Sequence, residues 1–253
     1  MTEAARSPFQ PVDDAVRRTA HALLGEACHA ALACIDPDTG APAASRVLVA
    51  TDISGDPVLL VSQLAHHTAA LLRDGRASLL IGDVAAGDPL SQPRMTLDGG
   101  VEHIPHFHEA FARVRRRFLA RHSTARVYAG FADFVWLRLH VRKASLFAGF
   151  ARAYRLDRDD ICHTTLPELI AREDEILARL NQRFTDGISR ILALSNDGAT
   201  QAWQIMTLDA DGFAATTVDV QGLRNIRRIA FPSRVQTEAD IMDALDRMTH
   251  ATD

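Results

Sequence analysis

Short β-branched runs alternate with turn-forming residues through the first two thirds of the chain. The clearest pair occupies positions 47–49 and 58–61, with turn formers from Asp52 to Pro57 between them. This pattern predicts a β-hairpin. Because antiparallel pairing reverses the chain, we expect the end of the second strand to return to the neighbourhood of Arg46.

Polar side chains surround the end of this predicted hairpin. Ser62, Gln63, His67 and Thr68 follow the second strand, and Arg46 opens the first. A guanidinium binds oxyanions bidentately, and the N–H groups at a helix start add further donors. The cluster is therefore a candidate phosphate or cofactor site. A surface hairpin with a solvated arginine fits the same spacing.

The remaining pattern of the first 157 residues favours an antiparallel sheet. A helix capped by Asp13 or Asp14 is predicted first, and strands are predicted at 30–35 and 77–81. Alternating apolar and polar residues from Phe131 to Phe147 predict one or two long strands. No helix of 10–15 residues separates each pair of strands, which disfavours a parallel βαβ sheet. A closed or split antiparallel barrel is the preferred interpretation.

One helix is predicted from Pro105 to His122 within this region. Its apolar face carries Phe107, Phe111, Val114 and Phe118. Arginines occupy the other faces at 113 and 115–117. Such a run is typical of a solvated helix face, and binding of an anion is the alternative.

The pattern changes between Asp157 and Leu166. A helix with apolar positions from Leu169 to Phe184 is followed by a hairpin around the D-A-D-G turn at 209–212, a further strand, and a closing helix over Thr237–Met248. The stripe of the first helix is predicted at Leu169, Ile170, Ile176, Leu177, Leu180 and Phe184. We predict a barrel domain over 1–157 and a small α+β domain over 165–253.

Composition narrows the class of protein. The 253 residues are 47% hydrophobic and 24% charged, which suits one or two globular domains. A net charge of -4 gives no case for a nucleic acid or an anionic membrane as partner. No apolar run approaches about 20 residues. The three cysteines are odd in number and lack metal-type spacing, which fits a reducing compartment better than a disulfide scaffold, so we expect a cytoplasmic protein.

Motif searches exclude several kinds of site. The chain contains no G-x-S-x-G, Walker A or G-x-G-x-x-G sequence, which removes the usual support for a hydrolase, a nucleoside triphosphatase or a dinucleotide-binding fold. His103, His106 and His108 straddle Pro105 without a supporting metal-ligand pattern. No metal site is predicted. Cys28 and Cys34 are read as small core residues.

Five segments together resemble a known family. They are S-R-V-L-V at 45–49, S-Q-L-A-H-H-T at 62–68, G-D-P-L-S-Q-P-R-M-T-L-D-G at 87–99, Y-A-G-F-A-D-F at 128–134 and A-G-F-A-R-A at 148–153. The chain resembles the pyridoxamine 5′-phosphate oxidase-like FMN-binding split barrels, and specifically their HugZ-like haem-utilisation branch. The part after about Leu166 resembles the small α+β module often fused to that barrel.

The resemblance implies a six-stranded antiparallel split barrel that forms a homodimer, with cofactor sites at the subunit interface. In flavin-binding relatives the matching positions hold FMN, and in the HugZ-like branch the ligand is haem, which is opened oxidatively to a biliverdin-type product. The cofactor is therefore left as FMN or haem. The positions implied by the resemblance are Arg46, Val47, Leu48 and Val49 on the strand, with added contacts from Ser62, Gln63, His67 and Thr68.

Three features depart from the family pattern. Ala151 stands in A-G-F-A-R-A where the family has a glycine, and L-N-Q-R-F at 180–184 replaces an M-N-x-D-H sequence. No axial iron ligand is identified by motif, although His250 is a candidate. A haem- or FMN-binding redox protein is the leading function. An FMN-dependent oxidoreductase, a non-catalytic carrier and an interaction module remain as alternatives.

Overall fold

The computed structural model describes residues 9–84, 86–149, 152–193, 202–218 and 224–250. It divides into two compact units. The first comprises Met1–Thr51 and Asp56–Cys162, and the second comprises Asp52–Gly55 and His163–Asp253. The departure at Ala151 lies outside the described residues.

The first unit is built on strands whose residues alternate between buried and exposed. Its first helix begins where predicted, because the Asp13 carboxylate accepts a hydrogen bond from the Val16 N–H at 2.8 Å. Its helices are α1 (Asp14–Glu26), α2 (His66–Arg73), α3 (Phe111–Arg121) and α4 (Arg158–Ile161). Its strands are β1 (His29–Ile35), β2 (Pro42–Leu48), β3 (Ala50–Thr51), β4 (Pro57–Ser62), β5 (Arg76–Ile81), β6 (Arg94–His103), β7 (Phe134–Phe147) and β8 (Ala153–Asp157).

The strands of this unit form one antiparallel sheet. The strand order is β2-β1-β5-β6-β7-β4-β3. Strand β8 pairs with the C-terminal part of β7, from Lys143 to Phe147. The first and last strands of this order, β2 and β3, are separated in the chain only by Val49. They therefore act as one bent strand, which closes six strands into a barrel. The predicted six-stranded split barrel is confirmed.

The helices of the described ranges were compared with the length and hydropathy that a membrane span requires. None of these helices meets both requirements.

The predicted hairpin between 47–49 and 58–61 is wrong in its pairing. The structure pairs β2 with β1, so that Arg46 lies opposite Ala31, and only the two residues of β3 pair with β4. The bend lies at Val49, whose N–H donates to the Cys28 carbonyl at 3.0 Å. The turn predicted between Asp52 and Pro57 is present. It joins β4 to the two-residue strand β3 rather than to the predicted strand over 47–49.

A glycine is required where β6 passes β7. The register shifts by one residue between Asp98 and Gly99, which is a β-bulge. A Cβ atom at Gly99 would lie 2.1 Å from the His140 carbonyl oxygen. Only glycine permits this approach of the two backbones.

Helix α3 is shorter than the predicted helix over Pro105–His122. Phe107 lies before its start and is 91% exposed, so it does not belong to the apolar face. Phe118 is fully buried and packs edge-on against Trp136, with ring centroids 5.3 Å apart. Val114 and Phe118 therefore define the buried face of α3.

Two arginines of this region are buried, which contradicts the prediction of a solvated face at Arg117. The Arg117 Nε donates to the Thr51 carbonyl at 2.8 Å. Arg121 donates to the carbonyls of Gly25 and Ala27, each at 2.6 Å. These carbonyls lie at the end of α1 and lack helical partners, so Arg121 satisfies them.

The described residues of the second unit form a three-stranded antiparallel sheet and two helices. The sheet order is β11-β10-β9, and the hairpin around the D-A-D-G turn is confirmed. Phe213 and Ile241 lie in its core, whereas Ile170 of the predicted stripe is 43% exposed. Its elements are α5 (Pro167–Ala193), β9 (Gln204–Asp209), β10 (Gly212–Val218), β11 (Arg224–Ala230) and α6 (Glu238–His250).

A buried ion pair lies at the β9–β10 turn of this unit. Arg228 binds both oxygens of the Asp209 carboxylate, at 2.6 and 2.7 Å, and both side chains are almost fully buried. Burial alone raises the pKa of Asp209, but the charges of Arg228 and His163 outweigh that effect. The net pKa of Asp209 therefore lies well below its ordinary value.

We expect the Asp209–Arg228 pair to make the chain sensitive to acid. The pKa of Asp209 in the folded chain lies below its unfolded value of about 3.9. The ionised carboxylate therefore stabilises the folded chain above pH 3.9, and this stabilisation is lost as the pH falls towards the folded-state pKa. The contribution is on the order of 2 kcal/mol. Denaturant unfolding at pH values from 6 to 2 follows its loss. An Asp209→Asn/Arg228→Met double variant with an unchanged acid response would contradict the prediction.

Candidate functional site

The outer face of the barrel presents a continuous row of side chains across five strands. Strand alternation turns Leu32 and Leu79 into the core and turns their neighbours outward. The registers align the outward residues from strand to strand. We call these aligned residues the outer row; its members are Arg46 of β2, Ala31 of β1, Leu80 of β5, Thr96 of β6 and Ser145 of β7.

Arg46 lies at one end of the outer row as an available cation. Its side chain is exposed, and within the described part of the chain it forms no hydrogen bond or ion pair. Arg76 and Arg158 of the same unit are held by Asp74 and Asp56. An unpaired guanidinium on a strand keeps its five donors available for an anion.

The residues beside Arg46 form a shallow apolar surface. Ala31 is exposed but small, and Leu80 is 44% exposed although it lies in the middle of the sheet. The second row on the same face carries Ala33 and Ser78 opposite each other. The small side chains of Ala31, Ala33 and Ser78, on the two adjacent strands β1 and β5, leave open space on this face.

Ser62 and Thr68 are brought together, but their hydroxyls are used within the protein. The buried Thr68 hydroxyl donates to the Ser62 carbonyl at 2.6 Å, which links β4 to α2. The Ser62 hydroxyl lies 3.4 Å from an Asp133 carboxylate oxygen and accepts from the Leu64 N–H. The exposed Gln63 donates its N–H to the Asp133 carbonyl. These residues shape the end of β4 and leave the Gln63 side chain available.

His67 lies at the start of α2 and is half-buried. Burial lowers its pKa, and the neighbouring His66 lowers it further. The imidazole is therefore neutral at pH 7 and offers a hydrogen bond rather than a charge. His66 is exposed, and its Nε2 lies 2.9 Å from an Asp36 carboxylate oxygen.

The three strand residues after Arg46 have different environments. Val47 and Val49 are buried in the barrel core, and Leu48 is half-buried. The side chains of Val47 and Val49 thus hold the strand in place. No hydrogen bond joins Arg46 to Ser62 or Thr68 among the residues described, and a shared ligand for these groups stays a prediction.

Sequence reasoning proposed Arg46 as a site residue and did not consider the other members of the outer row. Ala31, Leu80, Thr96 and Ser145 carry no motif. The available signal was alternation in β1 and β5, which exposes Ala31 and Leu80 once the inward residues are assigned. Their alignment with Arg46 depends on the strand order, which alternation does not determine.

Several other chemistry-bearing groups of the first unit are satisfied by protein partners. The buried Asp56 accepts two hydrogen bonds from Arg158 at 2.8 Å, and Glu102 binds Arg138 and His140. Cys162 lies beside Asp56, and burial, reinforced by that carboxylate, raises the pKa of its thiol to about 12. These groups support structure rather than nucleophilic chemistry.

The candidate metal ligands have separate environments. The His106 ring packs on Phe111, and the His108 Nδ1 accepts from the Ala110 N–H at 3.0 Å. His103 ends β6 and is exposed. In the second unit, the Nδ1 of His250 lies 2.7 Å from the Asp246 carbonyl of its own helix.

Comparison with known proteins gives consistent matches. The chain is 27% identical over 218 residues to a protein of Arabidopsis thaliana described as the chloroplastic heme oxygenase HOZ, over 84% of this chain and 65% of that protein. The chain thus spans less than two thirds of that relative.

Solved structures show the same fold. The protein Atu2129 of Agrobacterium tumefaciens, described as of unknown function, superposes with a TM-score of 0.76 at 25% identity, covering 94% of this chain and 98% of that chain. A heme binding protein of Mycobacterium smegmatis superposes with a TM-score of 0.55 at 22% identity, covering 96% and 99%. At that identity the second likeness concerns the fold alone.

The family assignment follows from the barrel and from a direct match. The described strands β1–β7 form the antiparallel split barrel, and a sequence model described as pyridoxamine 5′-phosphate oxidase matches residues 17–148, which is more than half of the chain. The protein belongs to the pyridoxamine 5′-phosphate oxidase family.

Proposed function

We propose that this protein is a haem- or flavin-binding redox protein of haem utilisation, acting as a homodimer that holds its cofactor against the outer row. The observation that carries the proposal is the 27% identity to a heme oxygenase over 84% of this chain. The FMN alternative follows from the family, whose description names an oxidase of pyridoxamine 5′-phosphate.

The residues of the outer row fit either group. Haem and FMN each combine a planar ring with anionic groups, namely carboxylates in haem and a phosphate in FMN. Arg46 supplies a guanidinium that no described residue pairs with, and Ala31 and Leu80 supply the apolar area beside it. A charge-assisted hydrogen bond from Arg46 would fix the anionic end, and the small residues would accept the ring.

The same surface supports the proposed homodimer. Binding sites bury most of a ligand of this size, whereas an open sheet face covers only one side of a planar ring. A second copy of the chain would cover the other side, and it would also remove the exposed Leu80 from water. The cofactor and the dimer are thus parts of one proposal.

The residues of the site would bind and orient rather than react. When bound, the cofactor supplies the electron chemistry itself. Arg46 would hold the anionic group, Leu80 would exclude water, and His67 would offer a neutral imidazole at the start of α2. The buried Val47 and Val49 keep the strand that carries Arg46 in position.

A visible spectrum of the purified protein tests the function. We expect a Soret band on adding hemin, and oxidative loss of that band with reductant and oxygen. Binding of FMN in place of hemin would favour an FMN-dependent oxidoreductase. A Soret band without turnover would favour a non-catalytic carrier. Failure of both cofactors to bind at micromolar concentration would overturn the proposal.

Replacing Arg46 by alanine is expected to weaken binding of hemin or FMN by about 10- to 150-fold. This range corresponds to the loss of a charge-assisted hydrogen bond of about 1.5–3 kcal/mol. Spectroscopic titration measures the dissociation constants.

Arg18→Ala is the matched control for Arg46→Ala, because Arg18 is also exposed and lies on α1 rather than on the outer row. We expect Arg18→Ala to bind like the original chain. Equal affinities for Arg46→Ala and Arg18→Ala would remove Arg46 from the cofactor site.

A further inference from the structure

A cavity with arginines on its walls lies beside α3, which packs near β3 and β4. It has a volume of about 360 Å³ and is formed by one face of α3 and by the short 3-10 helix Ser123–Val127. We call it the arginine cavity; its lining residues are Phe111, Ala112, Arg115, Arg116, Leu119 and Arg126.

The charge of the arginine cavity is not balanced by its own lining. Its described lining residues include three arginines and no acidic residue. Arg115 and Arg126 are exposed, and across the described ranges neither has a hydrogen bond or an ion pair. Guanidinium groups gathered in one concavity repel one another, and a bound anion would relieve that repulsion.

The chain around the cavity holds the arginines in place. Helical spacing puts Phe111, Arg115 and Leu119 in one column along α3. The chain then turns at the buried His122, whose Nε2 lies 2.8 Å from the Val49 carbonyl oxygen. Ala125 is fully buried, so the segment that carries Arg126 is anchored beside the helix.

The size and lining of the cavity indicate the class of ligand. A volume of about 360 Å³ suits a small molecule and not a polymer. Phe111 and Leu119 provide apolar walls, and Arg115 and Arg126 provide forked donors that match a phosphate. A net charge of -4 for the chain gives no support to nucleic acid as the ligand.

We propose that the arginine cavity binds the phosphate group of a small phosphorylated molecule, through Arg115 of α3 and Arg126 of the following 3-10 helix. The site is separate from the outer row and does not depend on haem or FMN. Arg116 lines the same cavity but is not required by the proposal.

Pyrophosphate is the probe, used with the full chain free of cofactor. Isothermal titration at constant ionic strength is expected to show saturable binding. The double variant Arg115→Gln/Arg126→Gln is expected to bind at least ten-fold more weakly, since both donors to the phosphate are removed. Both side chains are exposed and have no partner in the part of the chain that the structure describes, so the variant should unfold at the same temperature as the original chain.

Two control variants separate this site from general attraction. Arg18→Gln/Lys143→Gln removes the same charge from two exposed positions elsewhere on the first unit, and Arg46→Gln removes the cation of the outer row. The Arg18→Gln/Lys143→Gln variant is expected to keep the affinity of the original chain, and Arg46→Gln shows whether the pyrophosphate binds at the outer row instead. The proposal is overturned by an absence of binding at millimolar pyrophosphate, by equal losses in all variants, or by a loss confined to Arg46→Gln. Tighter binding of a single-stranded oligonucleotide through the same arginines would also overturn it.

Discussion

Replacing Arg228 by methionine is expected to destabilise the protein by about 3–5 kcal/mol. The Asp209 carboxylate loses both hydrogen bonds from the guanidinium and remains buried. Two other groups contact the Asp209 carboxylate. His163 Nε2 lies 3.4 Å from it, and the Asp211 N–H donates to its Oδ1 at 2.9 Å. Neither contact replaces a buried bidentate partner, so an unbalanced charge is left in the core of the second unit.

Tryptophan fluorescence measures this loss in the unit where it arises. The chain has two tryptophans, and Trp203 is buried in the core of the second unit. Urea unfolding in a Trp136→Phe background therefore reports on that unit through Trp203.

Arg183→Met is the matched control, because Arg183 and Asp246 form an exposed pair whose loss costs about 1 kcal/mol or less. Adding Asp209→Asn to Arg228→Met should restore part of the stability by removing the buried charge. Similar losses for the Arg228 and Arg183 variants would contradict the prediction.

Replacing Phe118 by alanine is expected to destabilise the first unit by about 3–5 kcal/mol. The ring is fully buried and packs against Trp136 and His122, with centroid distances of 5.3 and 4.7 Å. Truncation leaves a cavity beneath α3 that these neighbours do not fill. Urea unfolding in a Trp203→Phe background follows the change through Trp136.

Phe107→Ala is a control of the same residue type. Phe107 falls on the same predicted helical face as Phe118, yet it lies outside α3 and is 91% exposed. Its replacement should change the stability by less than about 0.5 kcal/mol. If both variants lost the same stability, the burial assigned to this region would be wrong.

The sequence determined the local elements of this protein and their class. Apolar alternation identified the strands of the barrel, and the D-A-D-G turn at 209–212 identified the hairpin of the second unit. Asp13 marked the start of α1 through its capping bond. These features depend on residues that are near one another in the chain, so the pattern of side chains is sufficient to predict them.

Tertiary structure decided which strands pair and what each arginine does. The chain bends at Val49, and β2 pairs with β1. This pairing puts Arg46 opposite Ala31, which in turn lies opposite Leu80 of β5. In the run from Arg113 to Arg117, the Arg117 side chain is buried and bonded to Thr51, whereas Arg115 is exposed. The physical reason is that pairing and burial depend on contacts between residues far apart in the chain. Local periodicity sets which faces of an element are apolar, but only packing decides which partner covers them.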